Sequence, residues 1–120
     1  MARTPYIIPL ALLFVTFLAG AGQAATVTLA WDPNTESDLA GYKLYYGNSP
    51  RTQAPYTQTV VINDKAATTW QITLEPGGYY FALTAYDASG NESGYSAEVS
   101  AEVSPINPPG KPGRPILISP

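Results

Sequence analysis

The chain has 120 residues, room for a single domain, with a formal charge of −3 and neither cysteine nor histidine. The lack of cysteine excludes a disulfide framework, a thiolate metal site and a lipid-bearing cysteine, and the lack of histidine removes the usual base near neutral pH. An acidic balance with no basic cluster argues against nucleic acid and anionic lipid as partners.

Residues 1–24 have the layout of a leader. Arg3 supplies a positive charge, an apolar stretch runs over 6–19, and the small residues Gly20, Ala21, Gly22 and Ala24 follow. This is the pattern of a secretory signal peptide with cleavage after Ala24, retention as an N-terminal anchor being the alternative. The apolar run falls short of the ~20 residues that a membrane span needs, and Pro9 interrupts it. The mature chain is therefore expected to be secreted, extracellular or periplasmic, with no membrane span. Losing Arg3 leaves five basic and nine acidic residues, a net charge of −4.

From Ala25 the pattern becomes one of short strands. Val27, Leu29 and Trp31 share one face of a strand over 27–31, and the polar stretch 32–38 ends it. Tyr42, Leu44 and Tyr46 point inward from a second strand over 41–46. A third runs over 56–62 and a fourth over 69–74, the latter with Trp70, Ile72 and Leu74 inward. Pro76, Gly77 and Gly78 then reverse the chain into a fifth strand over 79–86, whose inward face carries Tyr79, Phe81, Leu83 and Ala85. A sixth covers 95–103, with Val99, Ala101 and Val103 on one face. Six short strands at regular spacing, and no convincing amphipathic helix, predict an all-β sandwich or barrel over residues 25–104. Residues 105–120 are punctuated by six prolines and read as a linker or tail, with Ile116, Leu117 and Ile118 as a small β-prone patch.

Three motifs together resemble the fibronectin type III family: Val27-x-Leu29-x-Trp31-x-Pro33, Gly41-Tyr42-x-Leu44-x-Tyr46, and Leu74-x-Pro76-Gly77 followed by Tyr79-x-Phe81-x-Leu83-x-Ala85. Gly90 matches the glycine of the following loop, and the loop style is similar to bacterial members. The resemblance covers residues 25–103 and implies an immunoglobulin-like β-sandwich, with Tyr79 as a "tyrosine corner" whose hydroxyl bonds the backbone just upstream. It also implies a first strand before Val27. Cleavage after Ala24 would remove any residues able to make it, so the sandwich is expected to lack that strand and to leave residues 27–31 with an open edge, prone to self-association. Residues 114–119 are one way to fill it, because Gly110-x-Pro112-Gly113-x-Pro115-x-Leu117 resembles the opening of such a domain.

Function is less legible than fold. No nucleophile–base pattern, phosphate loop or cofactor motif is present, so the reading is non-catalytic with no cofactor. Trp31, Tyr42, Tyr46, Trp70, Tyr79 and Phe81 fall on inward phases, which leaves Tyr45, Tyr56, Tyr80, Tyr86 and Tyr95 to meet a protein or carbohydrate ligand. The loops 32–38, 63–68 and 87–94 should lie at one end of the sandwich and hold six acids. Within them Asp32, Asp38, Asp87 and Glu92 are candidate ligands for a hard cation, against the plainer reading of a solvated acidic rim. The two function classes are a binding or adhesion module, and a spacer or accessory module of a larger secreted enzyme or surface protein.

Overall fold

Alternation of apolar and small polar residues builds a strand at Ala25–Ala30, and that strand is the centre of a three-stranded sheet. The computed structural model describes residues 14–19, 24–104 and 113. In chain order the strands are β1 (Phe14–Ala19), β2 (Ala25–Ala30), β3 (Leu39–Gly47), β4 (Gln58–Ile62), β5 (Thr69–Leu74), β6 (Gly77–Asp87) and β7 (Val99–Val103). One sheet has the order β1-β2-β5 and the other β4-β3-β6-β7, and every pairing is antiparallel. The two inner faces make one core. Val27 and Leu29 from the first sheet and Tyr42, Leu44, Phe81 and Leu83 from the second are fully buried, with Trp31 closing the layer at the end of β2. Tyr46, Trp70 and Tyr79, expected in the core, are half-buried and pack against its margin.

β1 differs from expectation. The strand predicted to be missing is present in the full chain, and it comes from the apolar stretch read as a leader. Phe14 lies opposite Ala30 and Ala19 opposite Ala25, in unbroken register. Aromatic and β-branched residues favour the extended state, and the edge of β2 offers a row of backbone groups that need partners. Residues 1–13, 20–23, 105–112 and 114–120 lie outside the described residues, including the segment 114–119 proposed for the same edge. No helix among the described residues is long and apolar enough to cross a membrane.

Close approach explains Gly41. A Cβ there would stand 2.2 Å from the Ile62 carbonyl oxygen and 2.8 Å from the Tyr86 hydroxyl, so no side chain fits between β3 and its neighbours. The register of β3 against β6 shifts at this point, between Leu39 and Gly41.

At the other end of the sandwich the Tyr79 hydroxyl donates to the Glu75 carbonyl at 2.8 Å, the tie expected of the corner tyrosine. β7 begins at Val99, later than the predicted residue 95. The reason lies in Ser93 and Ser96. Their backbone N–H groups donate to the Ala85 and Leu83 carbonyls at 2.8 Å, while their Oγ atoms accept from the Ala85 and Leu83 N–H groups at 2.9 Å. Side-chain oxygens thus stand in for backbone carbonyls along β6. The segment between the two serines runs outside the ladder, and Tyr95 turns to solvent, 46% exposed.

Candidate functional site

The outer face of the four-stranded sheet carries a recess lined by aromatic and polar side chains. Lys43 and Tyr45 point outward from β3 because Tyr42 and Leu44 point inward. Tyr45 lies opposite Thr59 of β4 and Ala82 of β6. The segment from Glu92 to Glu98 crosses this face and adds Tyr95. The β3–β4 connection makes a tight turn at Pro50, whose carbonyl accepts from the Gln53 and Ala54 N–H groups at 2.8 and 3.1 Å, and this turn presents Arg51 and Tyr56.

Three tyrosine rings meet there. Tyr95 stands edge-on to Tyr45 at 5.1 Å between centroids and to Tyr56 at 5.4 Å, and Tyr45 and Tyr56 are 6.4 Å apart. Such tilted arrangements put a positive ring edge against a negative ring face. The Arg51 guanidinium lies 4.7 Å from the Tyr95 centroid and 5.9 Å from that of Tyr56. Together they line an open recess of about 470 Å³, with Gln53 and Thr59 among its polar walls.

Two carboxylates hold the rings in place. Glu98 Oε2 accepts from the Tyr56 hydroxyl and from the Arg51 backbone N–H. Glu92 Oε2 accepts from the Tyr45 hydroxyl at 2.5 Å and from Thr84 Oγ1 at 3.0 Å, and its Oε1 pairs with Lys43 Nζ at 3.1 Å. Burial alone would push the Glu92 carboxyl up, but the hydrogen bonds from Tyr45, Lys43 and Thr84 outweigh it and hold the group below its ordinary value. Burial and an anionic acceptor both push the Tyr45 and Tyr56 hydroxyls upward, so they remain neutral donors. With Glu92 bonded to it, Thr84 on the outer side of β6 is only 1% exposed. β6 is thereby buried on both faces, where alternation alone predicted one.

The four acids proposed as cation ligands are not brought together. Asp32 is exposed. Asp87 is buried and caps its own loop, with Oδ1 accepting from the Ser89 and Asn91 N–H groups and Oδ2 from Asn91 Nδ2. Glu92, four residues before Ser96, points instead to the sheet face. Asp38 alone adjoins Asp87, through the Ala88 N–H that donates to its carbonyl at 3.2 Å. The three loops do converge, since the Trp31 N–H also donates to the Thr68 carbonyl at 2.9 Å. Among the described residues, however, no group of three or more acidic side chains could hold a metal ion. Of the outward tyrosines, Tyr45, Tyr56 and Tyr95 share the recess, while Tyr86 reaches Asn63 Oδ1 at 3.2 Å and Tyr80 does not line it. Sequence reasoning missed Arg51 and Glu98, which lie 47 residues apart in the chain.

Comparison of the whole fold decides the architecture. An Fn3-like protein from Clostridium thermocellum superimposes with a TM-score of 0.51 at 19% identity, over 82% of this chain and 98% of that one. The fold is that of a fibronectin type III domain. A second likeness is to the β-1,2-glucanase of Parabacteroides distasonis, with a TM-score of 0.57 at 25% identity over 82% of this chain. The fibronectin type III-like chain spans only 14% of that enzyme's length. No family model and no curated protein matches the sequence.

Proposed function

We propose that this fibronectin type III-like domain is an exported, non-catalytic binding module whose recess of Tyr45, Tyr56 and Tyr95 contacts a glycan. The observation that carries the reading is the recess itself. It sets the ring of Tyr45, on β3, beside those of Tyr56 and Tyr95 from two flanking segments, with the guanidinium of Arg51 and the amide of Gln53 next to them. Tyrosine offers a sugar an apolar face at little cost in side-chain entropy, and the surrounding polar groups supply hydrogen bonds. Anchoring of the ring hydroxyls by Glu92 and Glu98 means that little order has to be imposed on binding.

The second reading, a spacer or accessory module of a larger protein, is favoured by the glucanase match, in which a chain like this one is a small part of an enzyme. A glycan array probed with the domain separates the two. The binding reading expects glycans retained by the parent and released by Tyr95→Ala. A domain that retains none, nor any protein ligand in solution binding assays, is a spacer.

A further inference from the structure

The loop between β2 and β3 encloses polar groups that find no partner among the described residues. Asn34 is 8% exposed, and neither its amide oxygen nor its amide nitrogen has a hydrogen-bond partner among the described residues. Glu36 Oε2 is likewise enclosed and unpartnered. Buried groups of this kind are rare because desolvation is not repaid, and an ion or ordered water is a common reason for those that persist.

Alternation along the loop turns these groups to the same side of the chain. Asp32, Asn34, Glu36 and Asp38 alternate along the chain with Pro33, Thr35 and Ser37. Burial follows the same alternation, with Asn34, Glu36 and Asp38 turned inward and Thr35 and Ser37 exposed. The Asn34 N–H donates to the Tyr42 hydroxyl at 2.8 Å, which pins this end of the loop to β3. Burial raises the pKa of that hydroxyl above its ordinary value, and the negative charge of Glu36 adds to the effect. The Leu39 N–H closes the turn on the Glu36 carbonyl at 3.2 Å.

We propose that Asn34 Oδ1 and the Glu36 carboxylate, on alternate residues of the loop, bind a calcium ion. Calcium takes six to eight oxygens in flexible geometry, and oxygens on alternate residues of a short loop are how a chain wraps such an ion. One carboxylate and one amide fill only part of its shell, and water supplies the rest. So few charged ligands put the site in the weak class of extracellular modules, roughly 10⁻⁴–10⁻³ M.

Titration of the full chain with calcium chloride in a calorimeter tests this directly, together with melts in about 10 mM calcium and in chelator. Saturable binding of one ion and a rise of about 6–20 °C are expected. Terbium, similar in size to calcium, should give luminescence on excitation of Trp31 and Tyr42, whose rings are 5.3 Å apart beside this loop, and calcium should quench it by displacement. Glu36→Gln, at a partly exposed side chain, should weaken calcium by about tenfold and keep its melting temperature in chelator. Asp64→Asn, on the exposed β4–β5 loop, should change nothing. Absence of binding heat and of any calcium-dependent melt in the parent would mean that water alone fills the loop and would overturn the proposal. So would binding that Glu36→Gln leaves intact.

Discussion

Replacing Trp31 with alanine removes a ring that is 4% exposed, sits at the end of β2 and meets Tyr42 at 5.3 Å with a 59° tilt. Truncating a buried aromatic of this size costs about 3–5 kcal/mol, part of it lost transfer energy and part the cavity left behind. A domain of roughly 80 residues has about 4–12 kcal/mol of stability in all, so the variant should stand near the limit of folding. Its melting temperature should fall by at least about 12 °C, since 1 kcal/mol is worth about 4–8 °C in a domain this small. Urea denaturation followed by far-ultraviolet circular dichroism gives the free energy, and an unchanged slope shows that the folded state is still compact. Trp70 is the internal control. By phase it looks as inward as Trp31, yet it is half-buried at the core margin, and its truncation should cost only about 1–2 kcal/mol. Equal losses for the two, or a loss below about 1 kcal/mol for Trp31→Ala, would refute the placement of the core.

Tyr79→Phe deletes the hydrogen bond to the Glu75 carbonyl and keeps the ring, so denaturant midpoints should report a loss of about 0.5–1.5 kcal/mol. The depressed Glu92 carboxyl contributes stability that is present above its ordinary value of 4.5 and is lost as pH falls through the lower folded value. The parent should therefore lose stability on acidification below that point more steeply than Glu92→Gln, and parallel melting curves from neutral to acid pH would count against the network. If the leader is cleaved after Ala24, N-terminal sequencing of the exported protein should begin at Ala25. Removal of β1 then opens the edge of β2, and the processed form should self-associate or lose stability relative to the full chain, which light scattering and melts can compare.

Much of the fold could be read from period-two alternation. The strand Thr69–Leu74 has the predicted bounds, and the proline-glycine turn before Tyr79 led directly to the corner hydrogen bond. β1 was hidden because charge, apolar run and small residues over 1–24 describe a leader equally well, and alternation within the stretch does not reveal a pairing partner. The late start of β7 was hidden because serine side chains replace backbone carbonyls at Ser93 and Ser96, which leaves no mark in hydrophobic pattern. The site was legible only in part. Outward phase singled out Tyr45, but not its neighbours in space. Arg51 and Glu98 meet only because the Pro50 turn and the segment before β7 fold onto the same face. Loop membership also misled for the acids: Asp87 and Glu92 share a loop, yet one turns in to cap it and the other reaches the sheet.

Affinity electrophoresis of the domain against soluble polysaccharides, β-1,2-glucan among them, tests most directly the proposal that the tyrosine recess binds a glycan. Retardation of the parent by at least one polysaccharide is expected, lost in Tyr95→Ala at a temperature where circular dichroism shows that the variant is folded. Mobility unaltered by every polysaccharide, or retardation that survives Tyr95→Ala and Tyr56→Ala alike, would contradict it.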